Sequence, residues 1–448
     1  MRKNVIPSVF LYIYSMKRQA EQALQVWKDS EFRKPLLVYG ARQVGKTWLM
    51  KNFGEQNFQN YLYINFEKEV SLRGIFEQDY NPKRIVKALE IYTNSTITIG
   101  KTLVILDEIQ EALGAITSLK YFNEELPQLH IIGAGSLLGI ALKQQTSFPV
   151  GQVDFLYLNP MNFREFLEAK GEGRLVDLLR EQDWEFITQF KQKYIQLLKE
   201  YYYVGGMPEA VNYYIQKEHF EGVRMIQENI LMAYEQDFSK HAPSEIIPKI
   251  RMIWNTIVSQ LTKENKKFIY GIIKEGARAK DYELALSWLE DYGLVKKVFR
   301  NKKAALPISS YVDLQAFKLY ILDVGLLGAM SNLQAQTILL GDNLFQEFKG
   351  SLTEQYVLQQ LLSEEKLNVC YWANDSGSAE VDFLFEKKGK IIPLEVKATE
   401  NLQAKSLKTF ALKNPQIHCY RTSLSNYKKE SWVTNIPLYA LMNIELNE

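Results

Sequence analysis

Short, unbroken apolar runs alternate with amphipathic stretches over residues 35–160. The runs fall at 36–39, 61–65, 103–106 and 130–133. Strands that do not alternate in polarity and are separated by helices belong to a parallel sheet covered on both faces. Upstream, Ala20, Ala23, Leu24 and Trp27 share one side of a helix within 17–34. Residues 161–240 read as aromatic-rich helices, broken at Tyr203-Val204-Gly205-Gly206-Met207-Pro208. Residues 244–330 pattern as a winged-helix unit. One helix covers about 246–261. A second covers about 281–292, with Tyr282, Leu286 and Leu289 on one face. Gly293 stops it, and wing strands follow at 294–299 and 318–321. Residues 341–448 repeat an α/β pattern, with a helix near 346–362 and strands at 369–372, 380–385, 391–396 and 418–421.

Composition narrows the function classes. A chain of 448 residues exceeds one ordinary core, so two or three domains are expected. A net charge of +2 gives the whole molecule no strong pull toward nucleic acid or membrane, so any basic surface is local. Two cysteines, Cys370 and Cys419, exclude a disulfide framework and a thiolate-rich zinc site and fit a reducing, cytoplasmic setting. His130, His219, His241 and His418 form no pair at helical spacing, which argues against a histidine zinc site. No apolar run reaches the roughly 18–20 residues a bilayer span needs, so no membrane partner is expected. Arg2 and Lys3 precede a short apolar stretch at 9–14. It carries two tyrosines and leads to no small-residue cleavage site, so residues 1–16 read as a tail and not a signal peptide.

The first chemical motif is Gly40-Ala41-Arg42-Gln43-Val44-Gly45-Lys46-Thr47, which leaves a strand and opens a helix through Trp48, Leu49 and Phe53. Its glycines let backbone N–H groups turn inward around phosphate oxygens, and the helix N-terminus adds positive potential. Gly40, Ala41, Gln43, Val44, Gly45, Lys46, Thr47 and Trp48 therefore form the expected ATP cradle. Lys46 would reach the β- and γ-phosphates, and the Thr47 hydroxyl would ligate Mg²⁺. The second motif is the apolar strand 103–106 ending in Asp107-Glu108. Asp107 would hold Mg²⁺ through water, and Glu108 would orient and deprotonate the attacking water. Standing alone, a buried strand followed by a helix-capping acid would explain the second motif. The P-loop before it makes that plainer reading weak. The strand 130–133 leads to Ser136, which suits either a sensor of the γ-phosphate or an N-cap for the next helix.

The stretches Arg42-Gln43-Val44-Gly45-Lys46-Thr47-Trp48-Leu49, Leu106-Asp107-Glu108-Ile109-Gln110, Leu158-Asn159-Pro160-Met161-Asn162-Phe163-Arg164-Glu165-Phe166 and Phe317-Lys318-Leu319-Tyr320-Ile321-Leu322-Asp323-Val324-Gly325-Leu326 resemble a large group of bacterial and archaeal AAA-type P-loop ATPases. The resemblance covers residues 17–448. It implies an AAA-type parallel sheet, a helical and winged-helix middle and a fused C-terminal domain of unknown function. The expected division is tail 1–16, P-loop ATPase domain 17–160, helical and winged-helix region 161–340 and C-terminal domain 341–448. One departure stands out. Many members carry a Gly-Arg pair where this chain has Gly151-Gln152. If that arginine aids hydrolysis, turnover here is slow, or another arginine serves: Arg164, or one from a neighbouring subunit of a homo-oligomer.

The second constellation lies near the C-terminus. Glu380-Val381-Asp382-Phe383 is followed by a Lys387-Lys388-Gly389 turn and then Leu394-Glu395-Val396-Lys397. A hairpin sets these strands side by side. Glu395 and Lys397 share a face, and Asp382 sits opposite them. Two carboxylates would bind Mg²⁺, Lys397 would steer or deprotonate a water, and Glu354 from the preceding helix is a possible third ligand. This pattern resembles the PD-(D/E)XK, restriction-endonuclease-like fold. Two plainer readings stand beside it: a solvated amphipathic hairpin, and a nuclease-like domain that binds without cutting. Arg278, Lys280, Lys296 and Lys297 are candidate contacts to DNA phosphates, against a purely structural connector. Two functions follow. One is an ATPase coupled to a Mg-dependent nuclease-like domain acting on DNA or RNA. The other is a slow nucleotide-dependent switch or DNA-binding regulator whose nuclease-like domain is inert.

Overall fold

The computed structural model describes residues 16–140, 149–263, 266–341, 346–364, 367–374 and 376–443. The tail expected at 1–16 therefore lies outside the described residues except for Met16, which is buried. The chain forms two compact units. The first comprises Met1–Asn159 with Asp291–Gly293, and the second Pro160–Glu290 with Leu294–Glu448.

The first unit holds a five-stranded sheet of β1 (Leu36–Tyr39), β2 (Asn60–Asn65), β3 (Thr102–Asp107), β4 (His130–Gly135) and β5 (Asp154–Tyr157). Its order is β2-β3-β4-β1-β5, and every pairing is parallel. All six residues of β3 and of β4 are buried, as unalternated apolar runs require. β5 was not expected from the sequence. It is an edge strand, only partly buried although Phe155, Leu156 and Tyr157 are apolar. Leu37, Ile64, Val104, Leu106, Ile116, Leu119 and Ile131 belong to the core around this sheet. Parallel pairing directs all five strand ends the same way, so the loops after β1, β3 and β4 meet at one edge. Before the sheet, Arg18 is buried and its guanidinium donates to Val44 O at 2.9 Å and Asn159 O at 2.7 Å, tying the loop after β1 to the chain beyond β5.

His130 opens β4 with its ring edge-on to Trp27 and Phe58. Burial, and then the nearby Arg33 guanidinium, press its pKa down from 6.5 to about 4. A depressed value means the neutral ring is favoured in the fold. That stability is complete above about pH 6.5 and is lost as pH falls toward 4. Melting temperature should fall across that window in the wild type, and His130→Leu should flatten this part of the slope. Thermal melts in a pH series measure both, and an unchanged slope in the variant would assign the effect to other groups.

In the second unit, helices Phe163–Ala169, Gly173–Glu181, Trp184–Gln189, Lys191–Val204, Pro208–Lys217 and Phe220–His241 precede Ile247–Leu261, Tyr270–Ile273 and Ala279–Asp291. The antiparallel pair β6 (Val295–Asn301) and β7 (Val312–Ile321) follows. β7 starts well before the 318–321 expected, because its first four residues, Val312 to Gln315, mix apolar and polar side chains and are half-buried or exposed. The hairpin does not stand alone. β6 pairs with β8 (Cys370–Ala373), so β6 and β7 extend the sheet of the C-terminal residues. With β9 (Glu380–Lys387), β10 (Lys390–Val396), β11 (Cys419–Ser423), β12 (Lys428–Lys429) and β13 (Val433–Pro437), the order is β12-β13-β11-β10-β9-β8-β6-β7. β9 and β10 are antiparallel through a two-residue turn, Lys388 (φ 49°) and Gly389 (φ 71°), the paired positive φ values of a type I′ hairpin. β10 and β11 are parallel across the helix Lys405–Lys413. Among the described residues no helix is long and apolar enough to cross a membrane.

Buried polar side chains organise this unit. Asp323 Oδ2 accepts from Gly206 N at 2.6 Å and Gln359 Nε2 at 2.9 Å, and its Oδ1 accepts from Leu326 N at 3.0 Å. The helix Gln346–Glu364 also presents Gln355, bonded to both the N–H and C=O of Ile321, and Gln360, which accepts from Phe163 N. These amides do for the loops what a sheet partner does for a strand: they satisfy buried backbone groups.

Candidate nucleotide site and C-terminal carboxylate cluster

The loop between β1 and the helix Lys46–Asn57 follows the backbone its residues allow. Gly40 has φ 147°, and a Cβ there would meet Leu158 O at 2.3 Å. Gln43 (φ 67°) and Gly45 (φ 95°) both turn left-handed, and Gly45 is the helix N-cap. Ala41 and Val44 are buried, Gln43 is exposed and Trp48 is half-buried. The Lys46 ammonium is buried and donates to Gly40 O at 2.9 Å and Ala41 O at 2.8 Å. Desolvation lowers its pKa to about 8, with Glu108 and Asp107 pulling the other way.

Thr47 Oγ1 donates to Asp107 Oδ2 at 2.7 Å, joining the helix start to the end of β3. Tyr63 on β2 donates to the same oxygen at 2.8 Å. The sequence reading missed Tyr63, whose signal was its position two residues before Asn65, the β2 partner of Asp107. Glu108 takes φ 50°, a strained value for a residue with a side chain, and such strain gathers at functional sites. Burial, and secondarily the charge of Asp107, raise the Glu108 carboxyl above its ordinary range, while the Gln110 amide donating at 2.7 Å opposes the rise. Gln110 was also missed as a site residue. A Cβ on Gly135 would meet its Oε1 at 1.9 Å, so the glycine that ends β4 makes its room. Ser136 is buried just past β4. Gln152, in the place of the absent arginine, accepts from Asn123 Nδ2 at 2.5 Å. Arg164 belongs to the second unit, in the first turn of Phe163–Ala169.

These residues fit Mg-ATP. A buried ammonium holds only loop carbonyls, a hydroxyl and a carboxylate touch at the helix start, and the glycine-shaped turns suit a phosphate cradle.

At the C-terminal cluster the structure adds residues the sequence reading did not include. Glu354, Asp382, Glu395 and Lys397 do lie near one another, and burial with the charges of Glu354 and Glu395 drives the Asp382 carboxyl well up. The plainer alternative placed the acids on a solvated hairpin face. They are instead buried or half-buried, with the helix Gln346–Glu364 over β10. Lysines accompany them. Lys266 Nζ donates to Glu354 Oε1, Tyr320 OH donates to Glu354 Oε2 at 3.0 Å, and Lys318 Nζ lies 2.5 Å from Glu380 Oε1 and 3.9 Å from Glu354 Oε2. Lys397 Nζ donates to Glu395 Oε1 at 2.7 Å. Desolvation by burial lowers the Lys397 pKa, and the Glu395 carboxylate outweighs it and holds the ammonium above its ordinary value. Among the described residues no three His, Cys, Asp or Glu side chains are grouped so as to hold a metal ion. Of the candidate phosphate contacts, Arg278 and Lys280 are exposed, and Lys297 pairs with Glu290 at 3.4 Å.

Residues 32–167 match the AAA domain family. Residues 195–337 and 349–441 match two domains of unknown function, DUF8612 and DUF4143. No curated protein matches the chain. Among solved structures, the Walker-type ATPase paby2304 of Pyrococcus abyssi is similar at 14% identity, covering 70% of this chain and 96% of its own, with a TM-score of 0.43. AMPPCP-bound DnaA from Aquifex aeolicus is similar at 13% identity over 60% and 85%, with a TM-score of 0.27. The Orc1 protein of Aeropyrum pernix in complex with DNA is similar at 13% identity over 73% and 93%, also with a TM-score of 0.27.

Proposed function

With an AAA-type ATPase domain in residues 32–167, we propose that the chain binds Mg-ATP at residues 40–47 and hydrolyses it slowly, as a nucleotide-dependent switch. The observation that supports this most is the convergence on Asp107. Thr47 and Tyr63 both donate to one of its oxygens, beside Lys46 and Glu108. Lys46 exchanges its loop carbonyls for the β- and γ-phosphates, and the loop and helix N-terminus hold the remaining phosphate oxygens. Thr47 and Asp107 would hold Mg²⁺, which supplies charge neutralisation across the phosphates. Glu108, with its raised carboxyl pKa, orients the attacking water and takes its proton. Ser136, at the tip of β4, reads the γ-phosphate.

The rate is slow because Gln152 supplies no positive charge to the transferring phosphoryl group, a contribution that arginine makes worth about 10³–10⁵ in rate in related chemistry. A neighbouring copy in a homo-oligomer supplies it instead. Nucleic acid is the proposed partner, contacted through exposed Arg278 and Lys280. The exposed acids Glu275, Asp281 and Glu283 interleave with them and keep that contact modest. DNA cleavage by the C-terminal domain is not part of this proposal, because lysines converge on its candidate metal residues.

Turnover per subunit should therefore rise with protein concentration, and rise further with added DNA or RNA. Steady-state ATP hydrolysis across a hundredfold range of concentration tests this. A fast, concentration-independent rate that collapses in Arg164→Ala would transfer the role to the same chain.

A further inference from the structure

We infer that the carboxylate cluster of Glu354, Glu380, Asp382 and Glu395 is a cation site filled by the chain's own ammonium groups, with Lys318 at its centre, and that it takes no divalent metal ion. The argument begins with where Lys318 comes from. It lies on β7, the outermost strand of the eight-stranded sheet, away from the β9–β10 hairpin that carries Asp382 and Glu395. Its side chain is only 1% exposed. A buried ammonium needs acceptors that offset its lost hydration, and carboxylates supply the most. Here Glu380 Oε1 is at 2.5 Å and Glu354 Oε2 at 3.9 Å, with the Tyr371 ring 5.0 Å from the nitrogen.

Lys266 reinforces the arrangement. It adopts φ 48°, left-handed for a residue with a side chain, and donates to Glu354 Oε1. The adjacent Lys267 bridges to the backbone of Lys318. Tyr320, two residues along β7 on the same face, takes the other Glu354 oxygen. Both oxygens of the proposed third metal ligand are thus already bonded to donors from this chain. Glu395 Oε1 takes Lys397, and Asp382 Oδ2 takes Val396 N at 2.8 Å. Among the oxygens of this cluster, Glu395 Oε2 is buried without a hydrogen-bond partner, and most of the other oxygens are already bonded to the chain's own donors.

Charge counting agrees. Four carboxyl groups face three ammonium groups, Lys266, Lys318 and Lys397, so at most one negative charge is left uncompensated. A divalent ion would overshoot to a net positive charge inside a buried site and would stand against Lys318 at short range. The lysines do what a metal does in a nuclease of this pattern, joining acids from a helix and a hairpin, but they cannot polarise a phosphodiester-bound water. The cluster locks β7 to the helix Gln346–Glu364.

The test uses the full chain without nucleotide. Mn²⁺ binding is titrated by electron paramagnetic resonance in the wild type and in Asp382→Asn, and melting is followed with and without millimolar Mn²⁺. Any wild-type binding should be unchanged in Asp382→Asn, and the melting temperature should move by less than about 1 °C. Lys318→Met should melt several degrees lower and recover part of the loss in Mn²⁺, because the emptied position then accepts a cation. Mn²⁺ binding in the wild type that disappears in Asp382→Asn would overturn the inference, as would metal-dependent DNA cleavage that disappears there. A folded Lys318→Met indifferent to Mn²⁺ would overturn the central position given to Lys318. If that variant does not fold, the comparison of wild type with Asp382→Asn decides alone.

Discussion

Replacing Lys46 with Ala will weaken ATP binding by roughly 100-fold, on the order of 3 kcal/mol for a lost charge-assisted contact, while the fold survives. The ammonium is bonded only to Gly40 O and Ala41 O, so its removal costs the loop two hydrogen bonds and the nucleotide its main positive partner. Glu108→Gln should bind ATP with near wild-type affinity and lose about 10²–10⁴ of the turnover, since an amide cannot accept the water's proton. Titration with a fluorescent ATP analogue and steady-state turnover separate the two effects. The depressed pKa of Lys46, about 8, adds a pH signature. Phosphates favour the charged form, so binding takes up a proton once the free site begins to lose it. Affinity should fall as pH rises above about 8, and this dependence should vanish in Lys46→Ala. An unchanged affinity in Lys46→Ala would remove the P-loop from nucleotide binding altogether.

Asp323→Ala should destabilise the second unit by about 3–5 kcal/mol, the range for removing one partner from a buried charged network. Its two oxygens satisfy Gly206 N, Leu326 N and the Gln359 amide, and all three residues are buried. The surroundings cannot relax easily. Gly205 sits at φ 72° with no space for a Cβ, which would meet Asp323 Oδ1 at 2.2 Å and Gly325 Cα at 2.9 Å. Asp323→Asn keeps one acceptor and should cost less than half as much. Urea melts of the full chain, followed through the many tyrosines of this unit, would measure both. A loss under about 1 kcal/mol in Asp323→Ala would mean that the network contributes register and not stability.

Much of the candidate nucleotide site was legible in the sequence because its parts are contiguous. The turns at Gly40, Gln43 and Gly45, the lysine and hydroxyl that open the helix, and the two acids ending β3 lie within short stretches. There, backbone freedom and strand burial are local properties. The β9–β10 hairpin was legible for the same reason, since Lys388-Gly389 carries the turn and the turn fixes which acids face each other. The two strands expected after Gly293 were placed in order but not in partnership, because nothing in the residues of β6 announces that β8 will pair with its free edge. Edge strand β5 was missed although Phe155-Leu156-Tyr157 is apolar, because so short a run does not by its pattern separate a strand from other structure.

What the sequence by itself determined is therefore the arrangement that depends on neighbours along the chain: a glycine-bearing turn that opens a helix at Lys46 and Thr47, an acid pair at the end of β3, and a hairpin bearing Asp382 and Glu395. Only the tertiary structure decided what charges meet those groups. Tyr63 reaches Asp107 from an adjacent strand. Asp323 reaches Gly206 across a helical break. Lys266 and Lys318 arrive at Glu354 from a loop and from the far edge of the sheet. An acid's function in a buried site depends on its counter-charge, and counter-charges are chosen by proximity in space, which the pattern of residues along the chain does not record.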